Sequence, residues 1–167
     1  MSNKTNRWGV LFAIAILAFC SHTLAADDQV QVVSESDLKS FWLPSHDNPP
    51  PQYPIDAIKA GAQGCVAVAL EIHSDGSVSN VRVWHSDLTN VSARKEIEQS
   101  AMLSAIQSHF VPAPMNKQRT SVYTYQVVTF SLNTALFMEK LKAKCEMTDF
   151  PQQVQAMINS TQAGKKP

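Results

Sequence analysis

Residues 65–84 constrain this chain more than any other stretch. Cys65-Val-Ala-Val-Ala-Leu-Glu-Ile-His73 alternates, with Val66, Val68, Leu70 and Ile72 on one face. A period of two over nine residues is the pattern of a half-buried strand. Ser74-Asp75-Gly76-Ser77 comes next, and its Asp-Gly pair suits a tight turn that needs positive φ. Val78 to Trp84 is a second strand, with Val81 and Val83 in phase and Val78 one step out. That slip predicts a bulge near Ser79-Asn80. The pair is a β-hairpin with one apolar face to bury.

The flanking segments supply the cover. Pro54 starts a short helix carrying Ile55, Ala57, Ile58 and Ala60, and Gly61 ends it. Ser92 is placed to cap a second helix whose apolar face is Ile97, Ala101 and Ala105, continued by Phe110; Pro112 and Pro114 stop it. Ser121 to Leu132 is rich in β-branched and aromatic residues and forms the third strand. Helical stretches follow at Ala135–Lys144 and from Pro151 to Ile158. The order predicts an α+β fold of two layers: a three-stranded antiparallel sheet, first strand central, with helices packed on one face and a helical C-terminal extension. Residues 27–53 are polar and end in a proline cluster, which predicts an extended lead-in; Val30–Val33 and Asp37–Trp42 carry only a weak signal for local structure.

The N-terminus has the order of a secretory signal peptide. Lys4 and Arg7 precede an apolar run from Trp8 to Phe19, and Thr23 and Ala25 stand at −3 and −1 of a cleavage point before Ala26. Spanning a bilayer takes about 20 apolar residues, so an uncleaved anchor fits this run less well. Lipidation at Cys20 also fits less well, because the bulky Phe19 precedes it. Export leaves two cysteines, Cys65 and Cys145, in an oxidising compartment, where such a pair is expected to form one disulfide. A Cys/His metal site is the alternative, but no histidine sits at a close ligand spacing from either cysteine.

Charge is balanced, 14 Lys+Arg against 14 Asp+Glu, which argues against a nucleic-acid-binding surface spread over the whole chain. Nucleophile-elbow, phosphate-loop, zinc-protease and dinucleotide signatures are missing. His73, His85 and His109 fall at element ends, Glu96 and Glu98 on an exposed helix face, and Asp75 and Asp87 in turns. Nothing groups them into an acid–base pair or triad, so the expectation is a protein that is not an enzyme and needs no cofactor and no metal.

Taken together, Pro51-Gln52-Tyr53-Pro54, Ala57, Gly61, Gly64, Asp75-Gly76-Ser77-Val78, Asn80-Val81, Val83, Ala101, Ala105, Phe110-x-Pro112 and Phe130-x-Leu132 resemble the TonB C-terminal domain family over about residues 50–133. The resemblance implies a periplasmic domain that engages the TonB-box peptide of an outer-membrane receptor through an exposed strand edge. It places receptor contact at Gln52 and Tyr53 and along Tyr123, Thr124, Tyr125, Gln126 and Val127. Alternation turns Val128, Phe130 and Leu132 towards the helices, and Tyr123, Tyr125 and Val127 away from them.

The chain also departs from the family pattern. His109 stands where an aromatic Trp usually precedes the Phe-x-Pro step, and the Pro-rich spacer shrinks to residues 27–53, at most ~90 Å when extended. An ExbB/ExbD-type motor is a partner only if the N-terminus stays uncleaved as an inner-membrane anchor. The resulting division is a signal peptide at 1–25, a flexible N-terminal segment at 26–49, a TonB C-terminal-like domain at 50–133 and the extension at 134–167. The edge strand is either open to a receptor peptide or occupied, by the extension or by a second copy in a homodimer, since an exposed edge rich in Tyr and Val is a pairing hazard.

Overall fold

The computed structural model describes residues 30–133 and 135–163; the expected signal peptide and its cleavage point lie outside them. In chain order the elements are β1 (Gln31–Val32), α1 (Glu35–Leu38), β2 (Trp42–Pro44), α2 (Ile55–Lys59), β3 (Gly64–Ile72), β4 (Val78–Leu88), a 3-10 turn (Val91–Ala93), α3 (Arg94–Ile106), β5 (Phe110–Pro112), β6 (Val122–Phe130), α4 (Ala135–Ala143) and α5 (Phe150–Ala163). The fold is α+β, and β3 lies inside the sheet between β6 and β4. The main sheet has four strands rather than three, in the order β1-β6-β3-β4, and β2 pairs with β5 in a separate ribbon.

The hairpin forms where its turn chemistry puts it. The Asp75 carboxylate accepts from the Ser77 amide at 2.9 Å and the Ser77 hydroxyl at 2.6 Å, and these bonds hold its pKa below the usual carboxylate value. Gly76 takes φ +84°, and a Cβ there would lie 2.0 Å from the Phe110 carbonyl oxygen. Only glycine lets the turn approach β5 this closely, which also allows the Phe110 amide to donate to the Gly76 oxygen at 3.0 Å. The bulge falls beside Asn80 at φ 51°, and the β3–β4 register skips between Ala69 and Glu71. A second skip, between Ala67 and Val68, lets β4 run on to Leu88 rather than end at Trp84.

Two apolar clusters sit on opposite faces of the sheet. On one face Val66, Val68, Leu70 and Ile72 meet Ile97, Ala101 and Ala105 of α3, together with Phe110 and Trp42. Ile97 is fully buried, and cutting it to alanine would cost about 2–5 kcal/mol. On the other face Cys65, Ala67, Ala69 and Tyr125 meet Cys145, Met147, Phe150 and Val154. The C-terminal extension therefore makes a third layer, and β3 is buried on both faces rather than half-buried.

Two local expectations are corrected. Asn90, not Ser92, starts the second helical region: its side-chain oxygen accepts from the Ser92 amide at 3.0 Å and the Ser92 hydroxyl at 2.7 Å, closing the 3-10 turn ahead of α3. Within 26–49, the part from residue 30 onward is ordered structure rather than a flexible lead-in. Val33, Leu38 and Trp42 enter the main core, and the Trp42 indole donates to the Thr120 carbonyl at 2.9 Å. Asn48 exchanges two hydrogen bonds with the backbone of His109, at 2.7 and 2.9 Å, so the position at which this chain departs from the family pattern is tied to the lead-in.

Candidate functional site

Strand β6 is the element on which the expected contacts converge, so its two sides matter most. Towards β3 it forms an unbroken antiparallel ladder from Gly64↔Phe130 to Ile72↔Val122. On the other side, the Gln31 amide donates to the Ser121 oxygen and the Val33 amide to the Tyr123 oxygen, both at 3.0 Å. The Val127 amide donates to the Glu35 carboxylate at 3.4 Å. A residue's N–H and C=O point the same way in a strand, so the odd-numbered residues 121–129 face outward and the even-numbered ones face β3. β1 runs parallel to β6, with Gln31 opposite Val122 and Val32 opposite Tyr123. The edge is thus occupied by the chain's own residues 31–35, and the C-terminal extension covers a face instead of the edge.

The side chains expected to meet a partner have other duties. Thr124 is fully buried and its hydroxyl has no hydrogen-bond partner among the described residues. Tyr125 is buried, its hydroxyl accepting from the Met147 amide at 2.9 Å and donating to the Met147 carbonyl at 3.1 Å. Tyr123 stacks on Phe150, centroids 5.8 Å apart, and its hydroxyl accepts from Arg82 at 3.0 Å. Arg82 also lies over the Trp84 ring at 4.7 Å. Burial raises the pKa of both phenols. Gln126 and Val127 are half-buried. These contacts turn the tyrosine side chains of β6 into the extension layer, while its outward backbone pairs with residues 31–35.

Gln52 and Tyr53 lie apart from that edge. The Gln52 carbonyl accepts from the Ser100 hydroxyl, and the Tyr53 hydroxyl donates to the Ala62 carbonyl. The Tyr53 ring meets Phe130 edge-on at 5.3 Å, and burial raises its pKa. The two residues line a cleft of about 430 Å³ with Pro49, Ile55 and Leu103, which none of residues 123–127 enters. The expected contacts form two separate surfaces, not one.

Two other features flank the edge. A groove of about 530 Å³ between α1 and the extension is lined by Glu35, Tyr125, Lys142 and Met147 among others, and Lys142 pairs with Glu35 at 3.5 Å. A second, of about 510 Å³, lies between the sheet face and α5 and includes Val30, Val32, Arg82 and Met157. Glu35, Lys142 and Phe150 were not marked by the sequence reasoning; an isolated acid and a lysine in a polar helix carry no periodic signal. Among the described residues no cluster of three or more His, Cys, Asp or Glu could hold a metal, and no helix is long and apolar enough to cross a membrane. Cys65 and Cys145 are joined, which anchors the extension to the start of β3.

A small α+β domain whose antiparallel sheet carries a short added strand on β6 is the class that this geometry defines. The family model described as Gram-negative bacterial TonB protein C-terminal matches residues 49–132. The chain belongs to that family. It is 32% identical over 84 residues to Protein TonB of Xanthomonas campestris pv. campestris, covering 50% of this chain and 35% of that protein. It is 29% identical over 86 residues to Protein tonB2 of Pseudomonas aeruginosa, covering 52% and 30%. The chain thus spans about a third of the length of these relatives. Among solved structures, the Pseudomonas aeruginosa TonB CTD is similar at 24% identity and a TM-score of 0.43, over 61% of this chain and 95% of that one. The Helicobacter pylori TonB-CTD is similar at 25% identity and a TM-score of 0.35, over 50% of this chain.

Proposed function

We propose that this chain is an envelope interaction module of TonB-dependent transport that takes up the TonB-box peptide of an outer-membrane receptor as an added strand on β6. The observation that carries this reading is the outward backbone of residues 121–127, which already accepts an extended segment by main-chain pairing. An edge that pairs with one short strand has the spacing and twist to pair with another. The cleft beside Gln52 and Tyr53 is a second, side-chain-lined contact for the receptor. The protein acts in the periplasm after removal of residues 1–25. Its partner is the receptor; an ExbB/ExbD-type motor joins only if the N-terminus is retained.

The test is titration of the isotope-labelled protein with a TonB-box peptide, followed by backbone chemical shifts. Shifts concentrated at residues 121–129 are expected. No saturable change with any receptor peptide overturns the reading. A second reading, in which the domain is structural and its edge is permanently self-covered, is favoured by the contacts of Gln31, Val33 and Glu35 on β6. Amide exchange at residues 121–127 that is slow without peptide and unchanged with it would select that reading.

A further inference from the structure

We infer that residues 30–35 form an intramolecular strap that occupies the receptor-peptide site and must be displaced for binding, and that they show what the displaced-in peptide must look like. This inference rests on the strand-addition reading above.

The strap is laid down as a ligand would be. It is extended and parallel to β6, and it is joined to the Ser121 and Tyr123 oxygens by the Gln31 and Val33 amides. Its two valines point opposite ways, as a strand requires. Val33 is buried in the main core, and Val32 packs against the cluster that holds Tyr125 and Phe150. Two residues further on, Glu35 reaches the Val127 amide and Lys142. The site therefore fits an extended peptide that runs parallel to β6, carries two adjacent β-branched or aliphatic residues, and has an acidic group shortly after them.

The strap is also built to leave. Its strand is two residues long, and the two grooves that include Val32 and Tyr125 leave it open on the side of the extension. The Ser34 cap of α1 and the burial of Leu38 and Trp42 hold the chain immediately behind it, so swinging off residues 30–33 draws only Val33 out of the main core. A binding-competent state populated only in part weakens the apparent affinity by that fraction. Opening the strap should recover it.

The experiment compares the whole protein with its Gln31→Pro/Val32→Asp variant. The proline deletes the donor to Ser121, and the aspartate disfavours packing against the cluster that holds Tyr125 and Phe150, so that Val33 is released with them while Leu38 and Trp42 keep the rest of the lead-in in the main core. Two labelled probes are titrated by fluorescence anisotropy: a synthetic peptide of this chain's residues 28–38, and a receptor TonB-box peptide. The 28–38 peptide is expected to bind the variant at least tenfold more tightly than the wild type, and the TonB-box peptide to gain by a similar factor. Equal binding of the 28–38 peptide to both proteins overturns the strap. A TonB-box peptide that binds neither, while the 28–38 peptide discriminates, overturns the receptor reading and leaves the strap standing. If the variant does not fold, amide exchange of the wild type decides. The Val33 amide should then exchange at least a hundredfold faster than Val68, and equal rates overturn the strap.

Discussion

The hydroxyl of Tyr125 is held between the amide N–H and the carbonyl oxygen of Met147, at 2.9 and 3.1 Å. One phenol thus satisfies both backbone groups of a buried residue and ties β6 to the segment between α4 and α5. Tyr125→Phe keeps the ring against Phe150, at 4.9 Å between centroids, but leaves the Met147 amide unpaired and its carbonyl with only the long Phe150 amide contact at 3.5 Å. Each orphaned buried group costs about 1–3 kcal/mol. Denaturant unfolding should show a loss of about 1–3 kcal/mol, with little change in TonB-box peptide affinity, since the backbone of β6 is untouched.

Reduction should loosen the same layer. The Cys65–Cys145 bond closes a loop of 80 residues, and constraining a loop of that length is worth roughly 4–5 kcal/mol in the chain-entropy treatment. Unfolding followed with and without reductant should differ by up to that amount. Amide exchange in α5 should rise before exchange in β3. A reduced protein of unchanged stability would show that packing around Phe150 and the Tyr125–Met147 hydrogen bonds hold the extension without the disulfide.

Thr124 offers a gain rather than a loss. Its hydroxyl is buried with no hydrogen-bond partner among the described residues, so the folded state carries an unmet desolvation cost. Thr124→Val keeps the shape and removes the polar atom. The melting point should rise, corresponding to about 1 kcal/mol of added stability. A variant no more stable than the wild type would mean that a water reaches this hydroxyl.

The hairpin, α2 and the β3–β6 ladder were legible because their signals are local: alternation in 65–73, Asp75-Gly76, Pro54 with Gly61. The apolar spacing of Ile97, Ala101 and Ala105 likewise gave the buried face of α3. What escaped depends on distant partners. β1 is two residues long, and nothing in Gln31-Val32 reveals that Ser121 and Tyr123 will accept its hydrogen bonds. The β2–β5 ribbon joins Trp42 to Pro112 across the whole hairpin and α3, and neither run is long enough to show a period. Of the expected contact residues, the sequence placed Tyr123, Tyr125 and Val127 on the correct face of the sheet. It did not show that the extension fills that face, because Phe150 and Met147 look like ordinary helix residues until Tyr125 is seen between them.

The chain's three tyrosines, Tyr53, Tyr123 and Tyr125, all have pKa values raised by burial. A folded pKa above the unfolded value gives stability that is complete below the unfolded pKa, near 10, and is lost as pH rises past it towards the folded value. Stability should therefore fall above about pH 10. Tyrosinate absorbance should lag behind that of free tyrosine until unfolding releases it in one step. A smooth titration of all three phenols near pH 10 with the fold intact would contradict the buried environments.

Strand parity gives the sharpest functional test. Val127 donates its N–H outward to Glu35, whereas Gln126 faces into the ladder with β3, opposite Val68. Proline deletes a ladder donor wherever it is placed, so adjacent positions should behave oppositely. Gln126→Pro breaks the pairing of β6 with the central strand and should cost more than about 3 kcal/mol of stability. Val127→Pro removes one long, half-buried hydrogen bond at the edge and should cost about 1 kcal/mol. If receptor peptides add to β6, the folded Val127→Pro protein should bind a TonB-box peptide at least tenfold more weakly, because the added strand loses a main-chain donor. Undiminished affinity in that protein would move recognition away from the β6 edge, towards the cleft beside Gln52 and Tyr53.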